Sequence, residues 1–163
     1  IKEVKSETKT PILNEPIAVI GMSCRFPGGA KNPEILWKIL HQGINTITEV
    51  PSTRWNIYDY YDENKETPGK MYTKYGGFLD QVDLFDSQFF GISPREAKDM
   101  DPQQRITLEV TWEALENAGI AASSLNGSKT GVFIGICFND YGQLIRQSGG
   151  ASAIDNYYST GNH

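Results

Sequence analysis

The side chains best suited to nucleophilic or metal chemistry in this 163-residue chain are two cysteines and two histidines. They lie far apart in sequence, at Cys24, His41, Cys137 and His163. A zinc site usually draws its ligands from closely spaced pairs, and a cysteine nucleophile needs an imidazole and an oxyanion donor beside it. The spacing of these four residues fits neither arrangement. The sequence therefore predicts no catalytic residue and no metal ligand among them.

Carboxylates and glycine-rich loops are the other familiar sources of chemistry. Asp80, Asp83 and Asp86 lie in a loop-like stretch, where we expect them to be solvated. The apolar run at 17–22 is not followed by G-x-G-x-x-G, and the Gly-Ser-Lys-Thr at 127–130 precedes an apolar run instead of following one. A phosphate loop needs a strand before it and a helix N-terminus after it. The sequence thus predicts no bound nucleotide and no other cofactor.

The charge balance bears on the partners of the chain. Fifteen basic and twenty acidic side chains give a net charge of −5, so we expect no general attraction to nucleic acid or to an anionic membrane surface. The longest apolar run, 131–138, is well short of a bilayer span. Two cysteines do not make a disulfide scaffold, and a reduced, cytoplasmic setting is the expectation.

The elements that would position these side chains alternate between strands and helices. Apolar runs rich in β-branched residues at 17–22 and 131–137 are typical of strands buried on both faces. Strands that alternate with helices predict a parallel, layered α/β arrangement. The polar, lysine-rich residues 1–15 are interpreted as a linker or tail, and residues 16–163 as one domain.

Helix starts are marked clearly by capping residues. Asn32, Ser93 and Asp101 are each followed by a proline, the residue favoured at the first helical position. Apolar residues at helical spacing then predict a helix over 102–118, which Gly119 ends.

The intervening stretch, 46–90, is predicted to be mostly loop. Its interleaved aromatic side chains lie among acidic residues, so we expect them to pack within the protein and not to stack on nucleic-acid bases.

Longer motifs occur in a fixed order along the chain. They are the segments 15–29 (EPIAVIGMSCRFPGG), 75–79 (YGGFL), 89–97 (FFGISPREA), 100–105 (MDPQQR), 112–119 (WEALENAG) and 130–135 (TGVFIG). In this order they resemble the N-terminal part of a β-ketoacyl synthase (ketosynthase) domain of a modular type I polyketide synthase. The resemblance covers residues 15–163. It implies an incomplete thiolase-like fold, the N-terminal portion of an α-β-α-β-α sandwich.

The resemblance also implies a chemistry. Members of the family take an acyl chain onto a cysteine in a Thr-Ala-Cys-Ser-Ser type elbow and condense it with a malonyl unit on an acyl carrier protein, losing carbon dioxide. Two histidines further along assist. None of the cysteines and histidines of this sequence matches those positions, so the chain is interpreted as truncated before the catalytic cysteine. By resemblance, Cys137, Phe138 and Asn139 would border the acyl pocket of a complete domain.

Two functions follow from this pattern. Fold-determining motifs without the catalytic ones favour a truncated, non-condensing module that docks a trans-acting tailoring enzyme or a neighbouring domain on a polyketide synthase assembly line. The alternative is a fragment of an active β-ketoacyl synthase. The expected partners are other polyketide synthase domains, an acyl carrier protein or a trans-acting tailoring enzyme. In either case we expect the 163 residues alone to be inactive and to expose strand edges and apolar helix faces.

Overall fold

The computed structural model describes residues 16–138 and 140–149, so the linker predicted at 1–15 lies outside the described residues. Within these residues, short helices and one small sheet are joined by long loops. In chain order the elements are α1 (Pro33–His41), β1 (Thr48–Glu49), a 3₁₀ helix (Ile57–Asp59), β2 (Tyr75–Gly76), α2 (Pro94–Asp99), α3 (Pro102–Asn117), a second 3₁₀ helix (Ala122–Leu125) and α4 (Tyr141–Gly149).

The predicted helix starts are confirmed, and each capping side chain satisfies a backbone N–H of the first turn. Asn32 accepts from the N–H of Ile35 at 2.9 Å, and Ser93 accepts from the N–H of Glu96 at 3.2 Å. Asp101 accepts from the N–H of Gln103 at 2.8 Å. These bonds fill donors that the first helical turn leaves without an internal partner.

Helix α3 is the longest described element, with 16 residues. At its start the side chain of Gln104 accepts from the backbone N–H of Asp101, which completes a reciprocal capping box. The helix ends at Asn117, one residue before the predicted end. Gly119 follows with φ of +67°, a left-handed conformation that glycine adopts without strain.

The stretch between α1 and α2 is mostly loop, as predicted, with one antiparallel strand pair. Thr48 lies opposite Gly76, and Glu49 lies opposite Tyr75. The expectation that the aromatic side chains of this stretch pack inside is wrong for several of them, because no described element covers them. The exposed ones are Trp55, Tyr58, Tyr60, Tyr72, Tyr75 and, at the end of the stretch, Phe89.

The two predicted buried strands are not formed among the described residues. Neither 17–22 nor 131–137 has a hydrogen-bonded partner strand there, and Ile17 and Phe133 are both 96% exposed. A strand needs a neighbour for its N–H and C=O groups, and the described part of the chain places none beside these segments. The parallel sheet predicted from the sequence is therefore wrong for these residues, whose sheet is the antiparallel pair β1–β2.

The apolar packing that the described residues do contain centres on α3. Phe89 contacts Trp112 edge to face, with ring centroids 4.7 Å apart, and Phe90 contacts both Phe89 and Phe85. Among the described apolar residues, only Ala30, Ile57 and Ala97 are buried. Helix α3 thus carries one side of this aromatic cluster, and it positions the candidate site.

Candidate functional site

The end of the segment 17–22 lies directly on the C-terminal half of α3. A Cβ atom at Gly21 would stand 2.4 Å from the carbonyl oxygen of Ala114 and 2.7 Å from the Cβ of Ala118. The N–H of Met22 donates to Oδ1 of Asn117 at 3.1 Å. Glycine is needed at this position because two backbones approach closely.

An arginine–glutamate pair fixes this contact. Arg25 donates through Nη1 to Oε2 of Glu113 at 2.7 Å and through Nη2 to Oε1, and Ser23 Oγ donates to Oε2 at 2.6 Å. Arg25 Nη1 also donates to the carbonyl oxygen of Lys31 at 2.9 Å. The hydrogen bond from Arg25 lowers the pKa of Glu113 against the opposing effect of partial burial. This two-pronged geometry suits a guanidinium and a carboxylate, and its role here is to hold two segments together.

Two ionisable neighbours of this pair have raised pKa values, in contrast to Glu113. Partial burial raises the pKa of the Cys24 thiol, and partial burial likewise raises the pKa of the Glu109 carboxyl. A raised thiol pKa disfavours the thiolate, which is the nucleophilic form. The geometry around Arg25 is therefore that of a structural contact and not of a nucleophilic centre.

The predicted edge of the acyl pocket lies near the other end of α3. Cys137 is exposed and Phe138 is 72% exposed, while Asn139 lies outside the described residues. The carbonyl oxygen of Phe138 accepts from Nε2 of Gln103 at 3.1 Å, which ties the end of this segment to the first turn of α3. The assignment of these residues to an acyl pocket stays a prediction.

The remaining candidates from the sequence are scattered. Asp80, Asp83 and Asp86 are exposed, as expected, and Asp86 Oδ1 accepts from the N–H of Phe89 at 3.1 Å. His41 ends α1, and His163 lies outside the described residues. Within the described ranges, no three histidine, cysteine, aspartate or glutamate side chains come together as a metal site would require.

One functional candidate was missed by sequence reasoning. Arg105, on α3, is buried with 9% of its surface exposed, and no described atom accepts a hydrogen bond from its Nε. A cavity of about 380 Å³ lies beside it. The helical spacing in the sequence indicates this position, because Arg105 precedes Leu108 by three residues and Trp112 by seven. Arg105 therefore shares the apolar face of the helix.

The sequence and the fold agree with one protein family. Residues 14–162 match the family model for the beta-ketoacyl synthase, N-terminal domain. The chain belongs to the β-ketoacyl synthase family. Over 148 residues, or 91% of its length, this family member is 50% identical to a subunit of the phenolphthiocerol/phthiocerol polyketide synthase of Mycobacterium tuberculosis. It is 47% identical over 149 residues, also 91% of its length, to the pikromycin polyketide synthase component PikAII of Streptomyces venezuelae.

Solved structures give the same answer for the fold. The oxazolomycin ketosynthase domain from Streptomyces albus superposes with a TM-score of 0.74 at 39% identity, covering 78% of this chain. A ketosynthase from module 6 of the bacillaene synthase of Bacillus subtilis superposes with a TM-score of 0.70 at 42% identity, covering 79% of this chain. The predicted fold class is confirmed: the chain forms an incomplete α/β part of the thiolase-like fold that ketosynthases share.

The chain is much shorter than the proteins it matches. It spans 10% of the mycobacterial synthase subunit and 4% of the pikromycin component, and it covers 22% and 21% of the two ketosynthase structures. Throughout the described ranges, every helix is too short or too polar to traverse a bilayer.

Proposed function

We propose that this chain is the N-terminal part of a condensing ketosynthase in a polyketide synthase. In the whole protein, an acyl group held as a cysteine thioester is transferred to a malonyl unit on an acyl carrier protein. The malonyl carboxylate leaves as carbon dioxide, and a carbon–carbon bond forms. The cysteine and both histidines for this step lie outside the 163 residues, whose contribution is the framework around α3 and the Cys137–Phe138 edge of the acyl pocket.

The observation that supports this proposal is the exposure of apolar side chains in a chain that superposes on part of a ketosynthase. Ile17, Val19, Val132 and Phe133 are all largely exposed, although their segments have the pattern of buried strands. Contiguous apolar surface of this kind requires cover in water. Since the chain superposes on about a fifth of each solved ketosynthase, the remainder of such a domain is the cover that the proposal assigns.

A docking or scaffold module is the second candidate. It is supported by α1, a fully capped helix that leaves Trp37 67% exposed and Leu40 64% exposed. Exposed aromatic and aliphatic side chains on a formed helix suit a protein partner, such as a trans-acting tailoring enzyme or another polyketide synthase domain.

A hybrid protein distinguishes the two candidate functions. Residues 16–163 replace the matching N-terminal stretch of the bacillaene module 6 ketosynthase, to which this chain is 42% identical. Mass spectrometry of the carrier protein then measures the condensed product. We expect condensation, which is lost in a matched hybrid whose nucleophilic cysteine is replaced by serine. A hybrid that folds and accepts the acyl group but yields no condensed product would contradict the proposal.

The docking candidate has its own readout. The 163-residue chain is titrated with carrier proteins and standalone tailoring enzymes by calorimetry, beside a Trp37→Ala variant. Tight binding that the variant loses, together with an inactive hybrid, would make docking the better description. An active hybrid and no binding would exclude it.

A further inference from the structure

Arg105 combines a permanent charge with burial and a missing hydrogen-bond partner. A guanidinium is a planar group with five N–H donors and no acceptor. With 9% of the residue exposed, its Nε finds no acceptor, and no carboxylate of residues 16–138 and 140–149 forms an ion pair with it. The Glu109 carboxylate, one turn further along α3, interacts with the Arg105 charge but accepts no hydrogen bond from it. A buried N–H group that lacks an acceptor is costly in a folded protein. The arrangement therefore points to a group that these residues do not supply.

The surroundings of Arg105 offer room for a further group. The adjoining cavity of about 380 Å³ is lined by Lys98 as well as Arg105, and by the apolar side chains of Phe85 and Ala97. Asp83 also lines it, and both Asp83 and Lys98 are exposed, so solvent screens these two opposite charges and Arg105 is the buried charge of the lining. The Tyr141 hydroxyl donates to the carbonyl oxygen of Lys98 at 2.9 Å and thereby joins α4 to α2 at the cavity wall.

The shape of the guanidinium selects the kind of group that fits. Its planar fork binds carboxylate oxygens in pairs, as Arg25 does with Glu113 on the same helix. A cavity of this size admits a carboxylate together with the side-chain stem that carries it, since a water molecule occupies only about 30 Å³.

We infer that the Arg105 cavity, the space lined by Arg105, Lys98, Phe85, Ala97 and Tyr141, is a binding site for one carboxylate group. The group is an acidic side chain from the remainder of the ketosynthase domain. This source rests on the proposed function, whereas the carboxylate chemistry rests on the cavity alone. A small free carboxylate shares that chemistry, and the experiment separates the two sources.

The experiment begins with the 163-residue chain and sodium acetate at constant ionic strength. The Nε–H resonance of Arg105 is followed by nuclear magnetic resonance and assigned as the signal lost in Arg105→Lys. We expect a saturable shift with a dissociation constant on the order of millimolar. Lys98→Gln is expected to weaken binding a few-fold, and Lys129→Gln, at an exposed loop position, is the matched control that leaves it unchanged. Absence of a saturable shift would overturn the site.

The hybrid ketosynthase then identifies the source of the carboxylate. There we expect acetate to have no Arg105-dependent effect on the urea midpoint, because an internal side chain already occupies the cavity. Arg105→Met should lower that midpoint in the hybrid but not in the 163-residue chain. An Arg105-dependent stabilisation of the folded hybrid by acetate would overturn the internal source. An inactive hybrid beside an acetate-binding chain would contradict the proposed function and leave the carboxylate site standing.

Discussion

One arginine lies at each end of helix α3, and the two differ in their hydrogen bonding. Beside the C-terminal half, Arg25 reaches Glu113 from a segment 88 residues earlier and bonds both carboxylate oxygens. Within the N-terminal half, Arg105 is buried and its Nε has no acceptor among the described residues. The first contact is complete within this stretch, whereas the second is arranged to receive a group from elsewhere. The comparison separates a contact that the chain completes by itself from a donor that needs an acceptor supplied from elsewhere.

The largest expected effect concerns the close approach at the completed end. Gly21→Ala places a methyl group 2.4 Å from the carbonyl oxygen of Ala114, and a helix backbone cannot move away cheaply. We expect the free energy of opening of the 114–118 amides to fall by about 2 to 3 kcal/mol, measured by native-state hydrogen exchange. Gly135→Ala is the matched control, since its new methyl meets nothing within 4 Å. Equal effects of the two substitutions would show that the close approach at Gly21 does not stabilise the C-terminal half of α3.

The arginine–glutamate pair should have the next largest effect. Glu113→Gln removes the charge that Arg25 and Ser23 recognise, and we expect a loss of about 1 to 2 kcal/mol because the pair is partly exposed. A double-mutant cycle with Arg25→Met, read by the same exchange measurement, should give a coupling of about 1 kcal/mol. Additive effects would show that the two side chains stabilise α3 independently.

The capping box tests the other end of the helix. Asp101→Ala removes the acceptor for the Gln103 N–H and should cost about 1 kcal/mol, seen as faster exchange in the first turn of α3 alone. Asp99→Ala, two residues earlier at the end of α2, controls for loss of an acidic side chain. Faster exchange that extends to 114–118 would contradict the separation of the two ends.

The smallest expected effect is a contrast in pH dependence between neighbouring carboxyls. Because the pKa of Glu113 is lowered in the folded chain, its stabilisation is complete above the ordinary value of 4.5 and is lost as the pH falls through the folded value. The pKa of Glu109 is raised, so its ionised form is penalised once the pH rises above 4.5. Glu109→Gln should therefore stabilise α3 at pH 7 by about 0.3 kcal/mol.

The same contrast predicts how each variant responds to acid in urea titrations. Glu109→Gln should lose more stability than the parent chain between pH 7 and pH 4, because the opposing gain from Glu109 is gone. Glu113→Gln should lose less. Glu63→Gln, at an exposed position outside α3, supplies the control for loss of a carboxyl group. Parallel pH curves for the two test variants would refute the assignment.

The helix starts could be predicted from the sequence because their determinants are local. Asn32, Ser93 and Asp101 each satisfy an N–H within three residues, so no distant partner enters the prediction. The segments 17–22 and 131–137 are apolar and rich in β-branched residues, which favours strands. Strand formation also requires neighbouring strands, and the pattern within one segment does not identify them. Arg105 is not revealed by its motif, because Asp101 and Pro102 identify that motif as a helix start, and burial of the arginine depends on what packs against α3.

The separation of 88 positions between Arg25 and Glu113 also sets an order of events on the ribosome. A chain made from its N-terminus exposes 17–22 before the surface that the following residues bind has been synthesised. At 5 to 20 residues per second, that interval is roughly 5 to 20 s, far longer than the microseconds in which α3 itself forms. During this time the residues 21–25 have no α3 to contact, and the Arg25 guanidinium has no carboxylate to bind. Slowing translation between these two codons should therefore lower the soluble yield more than slowing it after Glu113.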